Sequence, residues 1–243
     1  MRQSAIVFGG ASGIGLAVAE RLLDDGWPVA IIDMEGGALD EAEERFSGED
    51  ALVLAADITD EDEIADAFDQ VVDVFGLIGA LVSCADRGGG IPFEDASVEH
   101  FREMLEVNLV GPFAAGKAAA ERMGQTLAIV NVATVSALRA SSGGTAYAPA
   151  KAGLKMLTEA MALELAPSAI RVNCVACGPV ADGQAVGEAL SRSWLARTPQ
   201  RRAASAAEIA SAVSFLLSRE SDHITGHTLV VDGGFSAAGL LSD

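Results

Sequence analysis

Short runs of consecutive apolar residues alternate along this chain with segments whose apolar side chains recur every third or fourth position. The continuous runs cover 5–8, 29–32, 51–54, 80–82, 127–132, 170–175 and 228–231. Between them, Ile14, Val18 and Leu22, and later Ile64, Phe68, Val71, Val72 and Phe75, fall on single helical faces. A strand that is apolar on both sides must be covered on both, and helices between successive strands supply the cover. The pattern predicts an α/β fold, a doubly wound parallel sheet of seven strands with helices on both faces.

The least regular stretch, 178–202, lies between the sixth strand and a helix expected over 206–217. Ligands of open α/β sheets bind at the carboxyl ends of the strands, so this stretch is expected to form a substrate lid. Together with 86–91 and 136–145 it should set the shape of the pocket. Nothing in the middle of the chain reads as a linker, and 1–243 is expected to be one domain.

Charge narrows the partners. Sixteen basic against thirty-five acidic side chains give a net charge of −19, which repels nucleic acid and anionic membranes. The acids sit in short runs such as Asp60-Glu61-Asp62-Glu63, read as solvated helix faces. No apolar run approaches the roughly 18 residues of a membrane span, and the expected first strand follows Met1-Arg2-Gln3 too closely for a signal peptide. A soluble, cytoplasmic protein is expected, and an odd count of three cysteines fits reduced thiols better than a disulfide framework.

Cys174-Val-Ala-Cys177 and His223-Ile-Thr-Gly-His227 together imitate a zinc site. Their spacing does not: 45 residues separate the two pairs, where a compact finger allows about 12 to 15. No metal is expected.

The first strand runs directly into Gly9-Gly10-Ala11-Ser12-Gly13-Ile14-Gly15 and then a helix. Glycines let the backbone approach a pyrophosphate, and the free amides of a helix N-terminus attract its charge. Gly9, Ser12, Gly13, Ile14 and Gly15 are therefore candidate dinucleotide ligands. Asp33 closes the second strand, where a carboxylate can hydrogen-bond the hydroxyls of an adenosine ribose and repel a 2′-phosphate. With no Arg or Lys at Ser12 or Met34 to offset it, NAD(H) is expected rather than NADP(H).

Tyr147 is the only tyrosine and Lys151 one of three lysines, four residues apart in T-A-Y-A-P-A-K. On a helix that spacing puts them on one face, and Pro149 is tolerated in the first turn. A phenol titrates at about 10, and a neighbouring ammonium should lower that value and make Tyr147 a usable acid–base group.

These motifs, with Asp57 in A-A-D-I-T-D, Asn108 in E-V-N-L-V-G-P-F, R-V-N-C-V-A-C-G-P-V and a terminal V-V-D-G-G, occur in an order and at separations that resemble the classical short-chain dehydrogenase/reductase family over essentially the whole chain. The resemblance implies strand order 3-2-1-4-5-6-7 and a homotetramer. It implies that Tyr147 exchanges the proton, that Lys151 also holds the nicotinamide ribose, and that Asn108 organises a water relay to the lysine. It places Asp57 and Ile58 by the adenine, and Cys84, Ala85, Gly178 and Val180 along the cofactor. It also implies that the cysteine and histidine pairs lie at opposite ends of neighbouring strands, roughly 17 to 20 Å apart.

The chain departs from the family pattern at several points. Thr134 stands where the family has serine, thirteen residues before its tyrosine; its hydroxyl can still bond a substrate oxygen, with Ser136 as the alternative. Ser83-Cys84-Ala85-Asp86 replaces Asn-Asn-Ala-Gly, which brings a carboxylate close to the expected place of the nicotinamide ribose. Phe8 and Cys177 replace a threonine and a proline.

The resulting expectation is an NAD(H)-dependent oxidoreductase that interconverts a small or medium secondary alcohol and a ketone. Two alternatives stand beside it. One is a 3-oxoacyl thioester reductase in which Arg197, Arg201 and Arg202 contact an acidic carrier; the other is a catalytically weak NAD-binding scaffold.

Overall fold

A computed structural model describes residues 3–181 and 188–238. Seven parallel strands, β1 (Ser4–Phe8), β2 (Val29–Asp33), β3 (Ala51–Ala55), β4 (Ile78–Ser83), β5 (Met123–Thr134), β6 (Ile170–Cys177) and β7 (Thr228–Val231), form one sheet in the order β3-β2-β1-β4-β5-β6-β7. Every expected strand is present. β5 and β6 run beyond their expected ends to Thr134 and Cys177, which pair in register and bring Thr134 to the sheet's carboxyl edge.

The helices are α1 (Gly13–Asp24), α2 (Gly37–Arg45), α3 (Glu61–Phe75), α4 (Val98–Leu105), α5 (Gly111–Arg122), α6 (Tyr147–Leu165), α7 (Glu188–Arg197) and α8 (Ala206–Leu217). Side chains alternate across each strand, so the sheet has two cores. Ala5, Val7, Val29, Ile31, Ala80 and Val82 meet Val18 and Leu22 of α1 and Ile209 and Val213 of α8. Ile6, Phe8, Ala30, Ile32 and Leu81 meet Ile64, Phe68 and Val71 of α3 and Ala115 and Ala119 of α5. Phe8 stacks on Phe68 with ring centroids 6.1 Å apart, which gives the phenyl that replaces the family's threonine a core partner. Burying one such side chain contributes about 1.5–3 kcal/mol.

Helix ends are fixed by side chains where the sequence offers them. Asp60 accepts from the amides of Asp62 and Glu63 at the start of α3, and Ser205 and Glu208 form a reciprocal capping box on α8. No described helix is long and apolar enough to cross a membrane.

Two expectations need correction. The cysteine and histidine pairs are not at opposite strand ends, because β7 pairs with Cys174–Cys177 directly and the Cys174 amide donates to the His227 carbonyl at 2.9 Å. Thr228, not His227, stands beside Cys174, and the alternation of a strand sends residues 227 and 228 to opposite faces. Among the described residues no three His, Cys, Asp or Glu side chains gather as a metal site. The irregular stretch 178–202 contains a helix, α7; the remainder of that expected lid lies partly outside the described residues.

Candidate active site

The strand order reverses between β1 and β4, which opens a crevice at their carboxyl ends. There the backbone is tight. A Cβ on Gly9, whose φ is +72°, would lie 2.5 Å from the Ala85 nitrogen, and one on Gly15 would lie 1.8 Å from the Gly9 carbonyl oxygen. Neither position admits a side chain. Cys84 donates its amide to the Phe8 carbonyl at 2.8 Å, which locks the end of β4 against the turn.

The turn leads into α1, whose N-cap Ser12 makes no capping bond and whose first turn carries no acid. Among the described residues the amides of Gly13, Ile14 and Gly15 thus have no partner at a positive helix end. Asp33, at the end of β2, accepts from the amide of Ala11 at 3.0 Å and from that of Met34 at 2.9 Å. Free amides beside a carboxylate fit the pyrophosphate and adenosine ribose of a dinucleotide.

Asp57 follows β3, with its carboxylate accepting from the Thr59 amide and hydroxyl, both at 2.8 Å. Ile58 is buried, and its carbonyl leaves no room for a Cβ on Gly111. Gly178 donates to the Val231 carbonyl at 2.9 Å, and Val180 bridges to Ala204, so both mark where the chain leaves β6.

Asn108 lies fully buried in a π-helical turn (Glu106–Val110) between α4 and α5. Its amide nitrogen donates to the carbonyls of Met104 and Arg87, both at 3.0 Å. The side chain therefore ties down the loop after β4 at the residue following Asp86. π-Turns concentrate at functional sites because they re-aim a side chain within a helix. Thr134 begins a 3-10 turn (Val135–Ala137) that packs on α6, and its hydroxyl oxygen accepts from the Ser136 amide at 3.3 Å. Ser136 itself is buried.

Tyr147 opens α6 and Lys151 follows one turn later, its ammonium 5.9 Å from the Tyr147 ring centre. Lys151 is 2% exposed and donates to the Val132 carbonyl at 3.3 Å. Both residues reach the same atom: the Tyr147 phenol donates to Asp86 Oδ1 at 2.9 Å, and Lys151 Nζ lies 2.8 Å from that oxygen.

Burial and this contact together reverse the expected titration of the phenol. Burial first, and then the charge and hydrogen bond of Asp86, raise the Tyr147 pKa above the ordinary phenol range. The ammonium that was expected to lower it is paired with Asp86. Burial likewise pushes the thiols of Cys174 up to about 11 and Cys177 up to about 12. Both stay protonated at neutral pH.

Asp86, which contacts both Tyr147 and Lys151, was not among the expected site residues, although its departure from the family glycine signalled it. Arg139, Trp194 and Phe235 border a cavity beside the turn after β5, and no motif marks them.

Comparison with known proteins agrees with this architecture. A family model described as enoyl-(acyl carrier protein) reductase matches residues 9–236. The cis-4-hydroxycyclohexanecarboxylate dehydrogenase of Sinomonas cyclohexanicum is 36% identical over 241 residues, covering 96% of each chain. The 3-oxoacyl-(acyl-carrier-protein) reductase of Bos taurus is 34% identical over 239 residues, covering 96% of this chain and 98% of that one. A solved mutant of a Serratia marcescens short-chain dehydrogenase/reductase superposes with a TM-score of 0.89 at 31% identity, covering 96% of this chain and 98% of that one. Matched along nearly its whole length, the chain is an oxidoreductase that belongs to the classical short-chain dehydrogenase/reductase family.

Proposed function

We propose that the protein interconverts a secondary alcohol and a ketone with NAD(H), as one dinucleotide-binding and catalytic unit. The observation that carries this reading is the convergence of Tyr147 and Lys151 on one oxygen, at 2.9 and 2.8 Å. A phenol and an ammonium that can bond a common oxygen can also share the oxygens of a substrate and a ribose.

A bound nicotinamide would supply or accept the hydride. The chain's own residues do the rest. The amides of Gly13, Ile14 and Gly15 hold the pyrophosphate, and Asp33 bonds the adenosine ribose. Thr134 donates a hydrogen bond to the substrate oxygen, while Tyr147 gives that oxygen a proton in reduction and removes one in oxidation. For this Asp86 must turn away from Lys151, which frees the ammonium to hold the ribose and to draw the phenol pKa down. Asn108 positions the loop that carries Asp86.

The named relatives fit this class, one by a hydroxycyclohexanecarboxylate and one by a 3-oxoacyl group. An acidic carrier is the weaker reading. Arg202 is held by both carboxylate oxygens of Glu208 at 2.7 Å, and Arg201 donates to the Ala196 carbonyl. The exposed Phe113, Met156 and Leu163 on α5 and α6 support the homotetramer as a further part of the proposal.

One observation favours the scaffold reading, namely that Asp86 engages both reacting groups. Nicotinamide absorbance on a panel of secondary alcohols with NAD and ketones with NADH decides between the two. Tyr147→Phe should lower turnover by about 10²- to 10⁴-fold while NADH binding persists. Turnover indifferent to the phenol would remove Tyr147 from the mechanism.

A further inference from the structure

We propose that the cavity between the turn after β5 and the end of α7 is an anion subsite, so that the substrate is a secondary alcohol or ketone carrying a carboxylate on an apolar body. This rests on the reductase reading above and goes beyond it in naming the substrate's charge. The cavity has a volume of about 270 Å³, close to the lower bound for small-molecule sites. Arg139, Ser141 and Ser142 line it from one side, and Trp194, Arg197 and Phe235 from the other.

The two arginines differ from those held in ion pairs. Arg21, Arg45, Arg87, Arg122 and Arg202 each meet a carboxylate. Arg139 and Arg197, like Arg201 and Arg219, meet none among the described residues, and these two line the cavity together in a chain of net charge −19 with thirty-five acids. Among the described residues the Arg139 guanidinium donates only to the Leu138 carbonyl at 3.2 Å, which leaves most of its donors free. Arg197 lies over the Phe235 ring, its guanidinium carbon 5.3 Å from the ring centre, which orients the fork without neutralising it.

The rest of the lining describes what is attached to the anion. Trp194 and Phe235 stack nearly parallel, with centroids 4.8 Å apart and planes 7° apart, and form an apolar wall. Thr198 fixes this end of α7 by donating its hydroxyl to the Trp194 carbonyl at 2.9 Å. Two guanidinium groups, two serine hydroxyls and a flat apolar wall suit a carboxylate on a hydrocarbon skeleton.

Connectivity joins the cavity to the chemistry. Arg139 donates its amide to Val135, the residue after Thr134. Ser141 accepts from the Gly144 amide, and Gly144 in turn accepts from Ala148, next to Tyr147. The segment that supplies Arg139 and the serines is therefore anchored at one end to the neighbour of Thr134 and at the other to the neighbour of Tyr147. A protein this acidic repels an anionic substrate at long range, and a local pair of unneutralised arginines is what would offset that field.

The test is a series of oxo acids of increasing chain length, each beside its methyl ester, assayed with NADH and titrated against tryptophan fluorescence. Trp194 lines the cavity, whereas Trp27, the other tryptophan, packs on the core. Acids should exceed their esters in affinity and in kcat/KM by about tenfold to a hundredfold, the range of charge-assisted hydrogen bonds. Arg139→Gln and Arg197→Gln should bring the acid-to-ester ratio toward one, Arg197→Lys should keep most of it, and added salt should narrow it. Thermal melting establishes that the variants fold. Equal binding of acid and ester by the unaltered protein, or a preference that survives the double Gln variant, overturns the subsite. Absence of turnover with every compound would instead sink the reductase reading, and the fluorescence titration would still decide the subsite.

Discussion

Asp86 and Lys151 form an ion pair of 2.8 Å at the one point that the Tyr147 phenol also reaches. The Lys151 side chain is 3% exposed and that of Asp86 42%, so the acid can swing to water far more easily than the base. A ribose hydroxyl that takes its place on Lys151 must first displace it.

Asp86→Gly should therefore tighten NADH binding. The displaced contact is a charge-assisted one, worth about 1.5–3 kcal/mol, and its removal should lower the Kd by about tenfold or more. Fluorescence titration of NADH reads this directly. An unchanged Kd would mean that the carboxylate leaves Lys151 at no cost.

The phenol supplies a second readout, because Tyr147 is the only tyrosine in the chain and phenolate absorbance reports it alone. Burial and Asp86 raise its pKa, so the free protein should show no phenolate step until the pH passes the ordinary value of about 10. Asp86→Asn removes the negative charge and leaves the ammonium, so the step should move to lower pH. NAD should move it the same way in the unaltered protein. A step that Asp86→Asn leaves in place would show that burial alone sets it.

Much of the fold was legible because a strand buried on both faces needs a continuous apolar run, and all seven runs became strands. The Gly-rich turn was legible for a steric reason, since Gly9 and Gly15 have no space for a Cβ. Pairing across the sheet was less so. Spacing along the chain gave no register, and Cys174 proved to lie beside residue 228. The direction of the Tyr147 shift was missed because it depends first on how deeply the fold buries the phenol and then on where the loop after β4 sends Asp86. The cavity at Arg139 and Arg197 joins three distant segments that share no motif.

Asp33 sets the expected cofactor. Its two oxygens hold backbone amides at Ala11 and Met34, so the carboxylate is fixed beside the Gly-rich turn. A 2′-phosphate brought there meets a like charge, a repulsion of several kcal/mol at about 4 Å in a partly shielded site. Asp33→Asn keeps the shape and deletes the charge. The ratio of kcat/KM for NADH over NADPH should fall by about tenfold or more; a ratio above one that does not respond would locate the discrimination elsewhere.

Asn108 is argued to act through Asp86 rather than on substrate, and a double-mutant cycle can separate the two. Its amide spans the carbonyls of Met104 and Arg87, and Asn108→Ala would take this donor from the buried Met104 carbonyl and the part-buried Arg87 carbonyl at a cost of about 1–3 kcal/mol. The melting temperature should fall accordingly. The informative quantity is NADH affinity in Asn108→Ala, Asp86→Gly and the double variant. If Asn108 works by holding the loop that aims Asp86 at Lys151, its loss should change the Kd with Asp86 present and have little effect once residue 86 is glycine. Additive effects would mean that Asn108 serves the cofactor site independently of the carboxylate, and its place would then be in the proton path rather than beneath the loop.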